Sequence, residues 1–374
     1  MVSTFGKLCM WSHTSLASHP TSRTSSNGVA FMRKSITYPI EPPRSSIART
    51  LKVKAIGREE SEPRFPPQNQ DTQPGKEYPM NPLPQFSDPN YKASGKLHGK
   101  VALVTGGDSG IGRAVCYDFA KEGATIAFTY VKGDEDIDAN DTLKIIKEAK
   151  TSDSCDPIAI PADLKYSKNC ENVVDEVIAK YGRIDILINN PAVQYTTDSL
   201  EEITEDRLER IFRTNIFSYI FLTRHAVKYM KEGSSIINTT SILAYLGSVE
   251  FLDYGSTKGA IVSFTRGLSQ KLISKGIRVN GVAPGPIWTP LQAATLTDED
   301  LATFGSQVPM DRAGQPFEIA PSYVFLASYQ DSSYFTGQVL HPNGEIRDSY
   351  IANLHPQIGL LGAVSLGLNE LNAP

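Results

Sequence analysis

The chain has 374 residues, 40% hydrophobic and 21% charged, an ordinary globular-enzyme composition that excludes collagen-like, coiled-coil and wholly disordered classes. Its net charge of −4 divides unevenly: residues 1–55 hold eight Lys or Arg against Glu41 alone, a net of +7, and the remainder nets −11. A body that acidic is a poor partner for nucleic acid or an anionic membrane surface, and apolar runs such as Gly359 to Leu368 are too short to span a bilayer.

Residues 1–55 carry 16 Ser or Thr, and no apolar core of secretory length follows the basic start. Ser-rich, Arg-bearing and acid-poor is the composition of an organellar transit peptide, the alternative being a disordered tail without an address. Val53-Lys54-Ala55 resembles the short cleavage signal of chloroplast transit peptides, so removal of 1–55 on entry to a plastid is expected. In 56–96, eight prolines fall between Pro63 and Pro89. Proline fixes φ and lacks an amide donor, so this segment reads as extended. It is either a solvated linker or an arm anchored through Phe65, Tyr78, Phe86 and Tyr91.

A strand–helix rhythm begins at Lys100. Strands are predicted at 101–104, 125–131, 158–160, 184–188, 235–238 and 278–282, with helices at 111–122, 134–151, 168–181, 201–230 and 254–275. Such alternation implies βαβ units with right-handed crossovers. The expected fold class is α/β, a single Rossmann-type doubly wound parallel sheet with helices on both faces, spanning 97–344.

Thr105-Gly106-Gly107-Asp108-Ser109-Gly110-Ile111-Gly112 lies between the first strand and the first helix. Glycines there permit a tight turn and let the backbone approach a pyrophosphate, and the helix N-terminus offers free amides. A dinucleotide is the expected ligand, held by Gly106, Ser109, Gly110, Ile111 and Gly112. The spacing TGxxxGxG, rather than GxGxxG, resembles that of the short-chain dehydrogenase/reductase family. An acid at the end of the second strand would bond the adenosine ribose and repel a 2′-phosphate. Here Tyr130 stands there, followed by Val131 and Lys132, with no acid before Asp134. NADPH (NADP+) is therefore expected over NADH, and Lys132 is either a phosphate partner or a solvated loop lysine.

Tyr254-Gly255-Ser256-Thr257-Lys258 puts a phenol and an ammonium on one face of a predicted helix. Reduction of a carbonyl needs a proton for the nascent alkoxide, and a nearby Lys258 ammonium is expected to bring the Tyr254 phenol down from about 10 toward neutrality. Ser241 follows a predicted strand, where its hydroxyl is expected to hold the substrate oxygen.

The resemblance covers about Lys96 to Gly344 and implies further roles. Asp163 and the Leu164 amide would contact adenine, and Asn215 would hold a water in a proton relay with Lys258. Ile287 and Thr289 would hold the nicotinamide carboxamide, and Asn189 would line the cofactor floor. Asn189-Asn190-Pro191-Ala192 departs from the usual Asn-Asn-Ala-Gly at its last two positions, which implies a stiffer floor. Taken singly, each of these segments also reads as a strand-end turn or helix cap.

Gln73-Pro74-Gly75, Met80-Asn81-Pro82-Leu83-Pro84, the glycine loop and Leu340-His341-Pro342-Asn343-Gly344 resemble the subgroup described as glucose and ribitol dehydrogenase homologues. With a plastid address, that resemblance implies NADPH-dependent reduction of aldehydes in the stroma, detoxifying reactive carbonyls. The alternatives are a sugar or polyol dehydrogenase, an oxoacyl-thioester reductase, or a cofactor-binding pseudoenzyme of stress or storage. The expected partners are a small carbonyl substrate and further copies of the chain, in a dimer or tetramer. Residues 345–374 have no recognised counterpart and read as a solvated extension or as a cover for a neighbouring subunit's site. Cys9, Cys116, Cys155 and Cys170 form no CxxC pair and the histidines no i, i+4 pair, so no metal is expected.

Overall fold

Val101-Ala102-Leu103-Val104 offers no polar face, and in the computed structural model, which describes residues 63–345, all four side chains are buried. This segment is strand β1 (Val101–Val104). Val101 and Leu103 pack with Val173, Val174 and Val177, whereas Ala102 and Val104 pack with Ala114, Val115 and Phe119. A strand covered on both sides needs apolar residues at every position, hence the continuous run. Each large side chain so buried contributes roughly 2 kcal/mol relative to exposure.

Six strands join it: β2 (Thr125–Tyr130), β3 (Ile158–Pro161), β4 (Ile186–Asn189), β5 (Ser235–Thr239), β6 (Arg278–Val282) and β7 (Val339–Leu340). Their order is β3-β2-β1-β4-β5-β6-β7, and every neighbouring pair is parallel. On one face α1 (Gly110–Lys121) packs with α2 (Asp136–Ala149); on the other lies α3 (Ser167–Tyr181). The doubly wound, Rossmann-type sheet is thus observed. Strand order reverses between β1 and β4, which opens a crevice beyond their carboxyl ends.

The helix predicted over 201–230 is interrupted. It consists of α4 (Glu205–Phe212), a π-helical turn at Arg213–Phe217 and α5 (Ser218–Ala226). A π turn inserts an extra residue and re-aims side chains, a device common at functional sites. Here it turns the Asn215 carboxamide inward, where it accepts from the Val193 amide and donates to the Val193 carbonyl, both at 2.9 Å.

After β5 come α6 (Leu243–Leu246) and α7 (Leu252–Leu272). The region beyond β6 folds into α8 (Pro290–Ala293), α9 (Asp298–Thr303), α10 (Pro316–Ala327) and α11 (Tyr329–Ser332), none of which the periodicity announces. In α10, Pro316 occupies the first turn, where no amide is needed, and Gln315 with Glu318 forms a capping box.

The proline-rich segment lies on the domain from residue 63 onward. Phe65 stacks on Trp288 with ring centroids 3.9 Å apart, and Phe86 meets Tyr117 edge-on at 5.3 Å. The Tyr91 hydroxyl donates to Glu122 at 2.6 Å, and the Trp288 indole donates to the Pro82 carbonyl at 2.8 Å. Tyr78 remains exposed. Among the described residues no helix is long and apolar enough to cross a membrane. The expected targeting segment 1–55 and the tail from 346 onward lie outside the described residues.

Candidate active site

A cleft of about 380 Å³ opens at the crevice. The glycine loop forms its floor, with Gly110 at φ +51, a left-handed conformation that favours glycine. Gly112 does not line the cleft, contrary to expectation. A Cβ there would sit 1.8 Å from the Gly106 carbonyl oxygen, so its hydrogen lets α1 approach the loop. Gly106, Ser109, Gly110 and Ile111 do line the cleft.

The N-terminus of α1 leaves its first amides without intrahelical partners. One of them, on Gly110, donates to Glu77 of the proline arm at 2.6 Å. The same carboxyl group receives the Arg113 guanidinium at 2.6 Å, and both side chains are buried. Burial pushes Glu77 up to about 7, with Arg113 and the Gly110 amide pulling the other way. No local pattern in the arm announced this residue. Ile111, the next residue of α1, lines the cleft.

At the adenosine end Lys132 is exposed and does not line the cleft. Asp134 and Glu135 line it instead, beside Tyr130, Asp163, Leu164 and Lys165. Because α2 starts directly after Glu135, that side chain folds back and accepts from the Val131 amide at 2.6 Å. Burial raises its carboxyl well above the usual range, favouring the neutral form. Lys165, which pairs with Asp163 at 3.1 Å, is the cation nearest this end among the lining residues.

Asn189 also departs from expectation. It is buried within the sheet, donating to Thr223 at 3.1 Å and Asn238 at 2.9 Å, and does not line the cleft. Successive strand residues point to opposite faces, so Asn190 takes the cleft position. It donates to the Gly106 carbonyl at 3.3 Å and accepts from Thr239 at 3.0 Å.

Ser241, Tyr254 and Lys258 line the cleft together. Helical spacing on α7 puts Lys258 Nζ 5.2 Å from the Tyr254 ring centroid, and that nitrogen donates to the Thr239 carbonyl at 3.2 Å. Burial raises the Tyr254 phenol, and a hydrogen bond from Ser241 works against it. Burial lowers Lys258 to about 7. Burial of both groups works against the expected shift of the phenol toward neutrality. Asn215 is fully buried and off the cleft; its carboxamide is spent on Val193 and on Thr257 at 3.2 Å. Its side chain thus positions the Val193 segment and α7. Ile287 and Thr289 line the opposite wall, the former in a β-bridge with Gly314.

An elongated cleft with a helix N-terminus at its middle, a strand-end polar cluster at one end and a Ser–Tyr–Lys group at the other suits an extended dinucleotide. The comparisons agree. Residues 106–344 match the family model described as enoyl-(acyl carrier protein) reductase. The structure resembles that of a Burkholderia cenocepacia short-chain dehydrogenase in complex with NADP, with a TM-score of 0.61 and 29% identity over 67% of this chain and 98% of that one. The chain belongs to the short-chain dehydrogenase/reductase family.

Two plant relatives are closer still in sequence. A Daucus carota protein named glucose and ribitol dehydrogenase is 65% identical over 280 residues, 75% of this chain and 96% of its own length. An Arabidopsis thaliana protein named NADPH-dependent aldehyde reductase 1, chloroplastic, is 68% identical over 277 residues, 74% of this chain and 96% of its own. This short-chain dehydrogenase/reductase is an NAD(P)-dependent oxidoreductase acting on alcohol or aldehyde groups. In the floor of its cleft, Pro191 lacks an amide donor, and its carbonyl accepts from the Tyr219 hydroxyl at 3.3 Å.

Proposed function

We propose that the protein reduces aldehydes to alcohols with NADPH. The observation that carries this reading is the meeting of Tyr254, Ser241 and Lys258 at one end of a cleft whose middle is the α1 N-terminus. NADPH, when bound, supplies the hydride for the carbonyl carbon. Ser241 holds the carbonyl oxygen, and Tyr254 donates its phenolic proton to that oxygen. Lys258, buried beside the ring, offsets the charge left on the phenolate. Asn215 keeps Val193 in place and so fixes the cleft wall.

The preference for NADPH over NADH draws on the Arabidopsis relative's name and on the NADP in the Burkholderia structure. The neutral form of Glu135 favoured by burial does not repel a 2′-phosphate. Plastid location draws on the composition of 1–55 and on the word chloroplastic in that relative's name. Self-association draws on Phe217 and Ile220, large apolar side chains exposed side by side along the π turn and α5. Oxidation of sugars or polyols is the second reading, supported by the carrot relative's name.

Residues 56–374 given NADPH or NADH with medium-chain and unsaturated aldehydes, and NAD+ or NADP+ with glucose and ribitol, separate these readings. Turnover of aldehydes with NADPH is expected; activity confined to sugars with NAD+ overturns it. Import into purified plastids should yield a mature N-terminus near residue 56, and an uncut chain contradicts the address.

A further inference from the structure

We propose that Arg210, on α4, binds an anionic group of the carbonyl substrate, so that the enzyme prefers aldehydes carrying a carboxylate or phosphate. The inference rests on the carbonyl reduction proposed above and names a substrate class for that same cleft. Three arginines project from α4 and the π turn after it, and two have their charge matched. Arg207 pairs with Asp253 at 2.8 Å, and Arg213 with Glu209 at 2.7 Å. Arg210 has no carboxylate within ion-pair distance among the described residues, and it alone of the three lines the cleft.

The one hydrogen bond of its guanidinium among the described residues goes from Nη2 to the Gln73 carbonyl at 2.8 Å, and its guanidinium carbon lies 5.8 Å from the Tyr195 ring centroid. The side-chain carboxamide of Gln73 donates through Nε2 to the Gln194 carbonyl at 2.9 Å and the Ala294 carbonyl at 3.0 Å, tying this part of the arm to the domain. At Gly75 a Cβ would stand 2.3 Å from the Pro290 carbonyl oxygen, so the arm lies directly on α8. An arginine steadied at one nitrogen keeps its remaining donors for a planar anion, which a guanidinium binds in two-pronged fashion. Of the other cations of the cleft wall, Lys258 donates to the Thr239 carbonyl beside Tyr254, and Lys165 stands at the adenosine end beside Asp163.

The test compares kcat/KM for charged and uncharged partners: 4-oxobutanoate against its methyl ester, and glyceraldehyde 3-phosphate against glyceraldehyde. The wild type is expected to favour the charged member of at least one pair by roughly ten- to a hundredfold, mainly through KM, the range for a charge-assisted hydrogen bond. Arg210→Met should bring that ratio close to one, and Arg210→Lys should restore part of it. Which pair responds tells carboxylate from phosphate. A wild-type ratio near one, or an Arg210→Met variant that slows both members equally, overturns the proposal and leaves Arg210 as an anchor of the arm. Calorimetric binding of 4-hydroxybutanoate and its methyl ester to the NADP+-loaded proteins reads the same preference without turnover. Failure of aldehyde reduction and failure of anion recognition are then separate results, and equal binding of acid and ester counts against Arg210 even if no aldehyde is reduced.

Discussion

Glu77 in the proline arm and Arg113 in α1 meet at 2.6 Å, buried, with the second carboxyl oxygen of Glu77 on the Gly110 amide at the start of that helix. The arm is thereby joined to the turn that would receive the pyrophosphate.

Removing one partner of a buried ion pair leaves the other charge uncompensated, at a cost of about 3–5 kcal/mol. Glu77→Ala should lower stability by up to about 3 kcal/mol, because Arg113 would keep one longer ion pair, to Asp138 at 3.4 Å, beside its hydrogen bonds to Thr142 and to the Asp108 and Asp138 carbonyls. Urea unfolding measures this, and a loss below about 1 kcal/mol would show that the pair contributes little. Glu77→Ala should also weaken cofactor binding by displacing the arm, read as a raised dissociation constant for NADPH.

Tyr254→Phe removes the proton donor and leaves the ring in place. Turnover should fall by about a hundredfold or more, the scale of a lost general acid, while the cofactor dissociation constant changes little. Equal activity of the variant would assign the proton to another group.

Lys258 gives a stability prediction whose sign follows from its burial. Its native value, lowered to about 7, lies beneath the unfolded value of about 10.4. Between these two pH values the unfolded chain binds more protons, so stability rises with pH across that window. Below pH 7 the native protein carries the full cost of the buried ammonium. Lys258→Met should therefore be more stable than the wild type at pH 6, with the gap shrinking from pH 7 toward pH 10. A gap independent of pH would mean that Lys258 titrates normally.

The two lysines near the adenosine end should differ. Lys132→Ala is expected to change the KM for NADPH by less than about twofold, since an exposed charge off the cleft is screened by solvent. Lys165→Ala, at the cleft wall, should raise it several-fold while leaving NADH unaffected. The opposite ranking would restore Lys132 as the phosphate partner.

Local sequence determined six of the seven strands, β7 excepted, together with the glycine loop and the group of Ser241, Tyr254 and Lys258. Continuous apolar runs specify strands covered on both faces, and helical spacing alone puts Tyr254 beside Lys258. The tertiary structure decided what depends on contacts between residues distant in the chain, which leave no periodic trace. It brought Glu77 to Gly110 and the Gln73 carbonyl to Arg210, and it spent the Asn215 carboxamide on Val193 through a π turn hidden in a helical pattern. At the strand ends a single residue of alternation put Asn190 rather than Asn189 at the cleft, and the start of α2 brought Glu135 there in place of Lys132. Protonation was decided in the same way. Spacing identifies an ammonium near a phenol, but only the fold determines how deeply the pair is buried, and burial raises the phenol and lowers the ammonium.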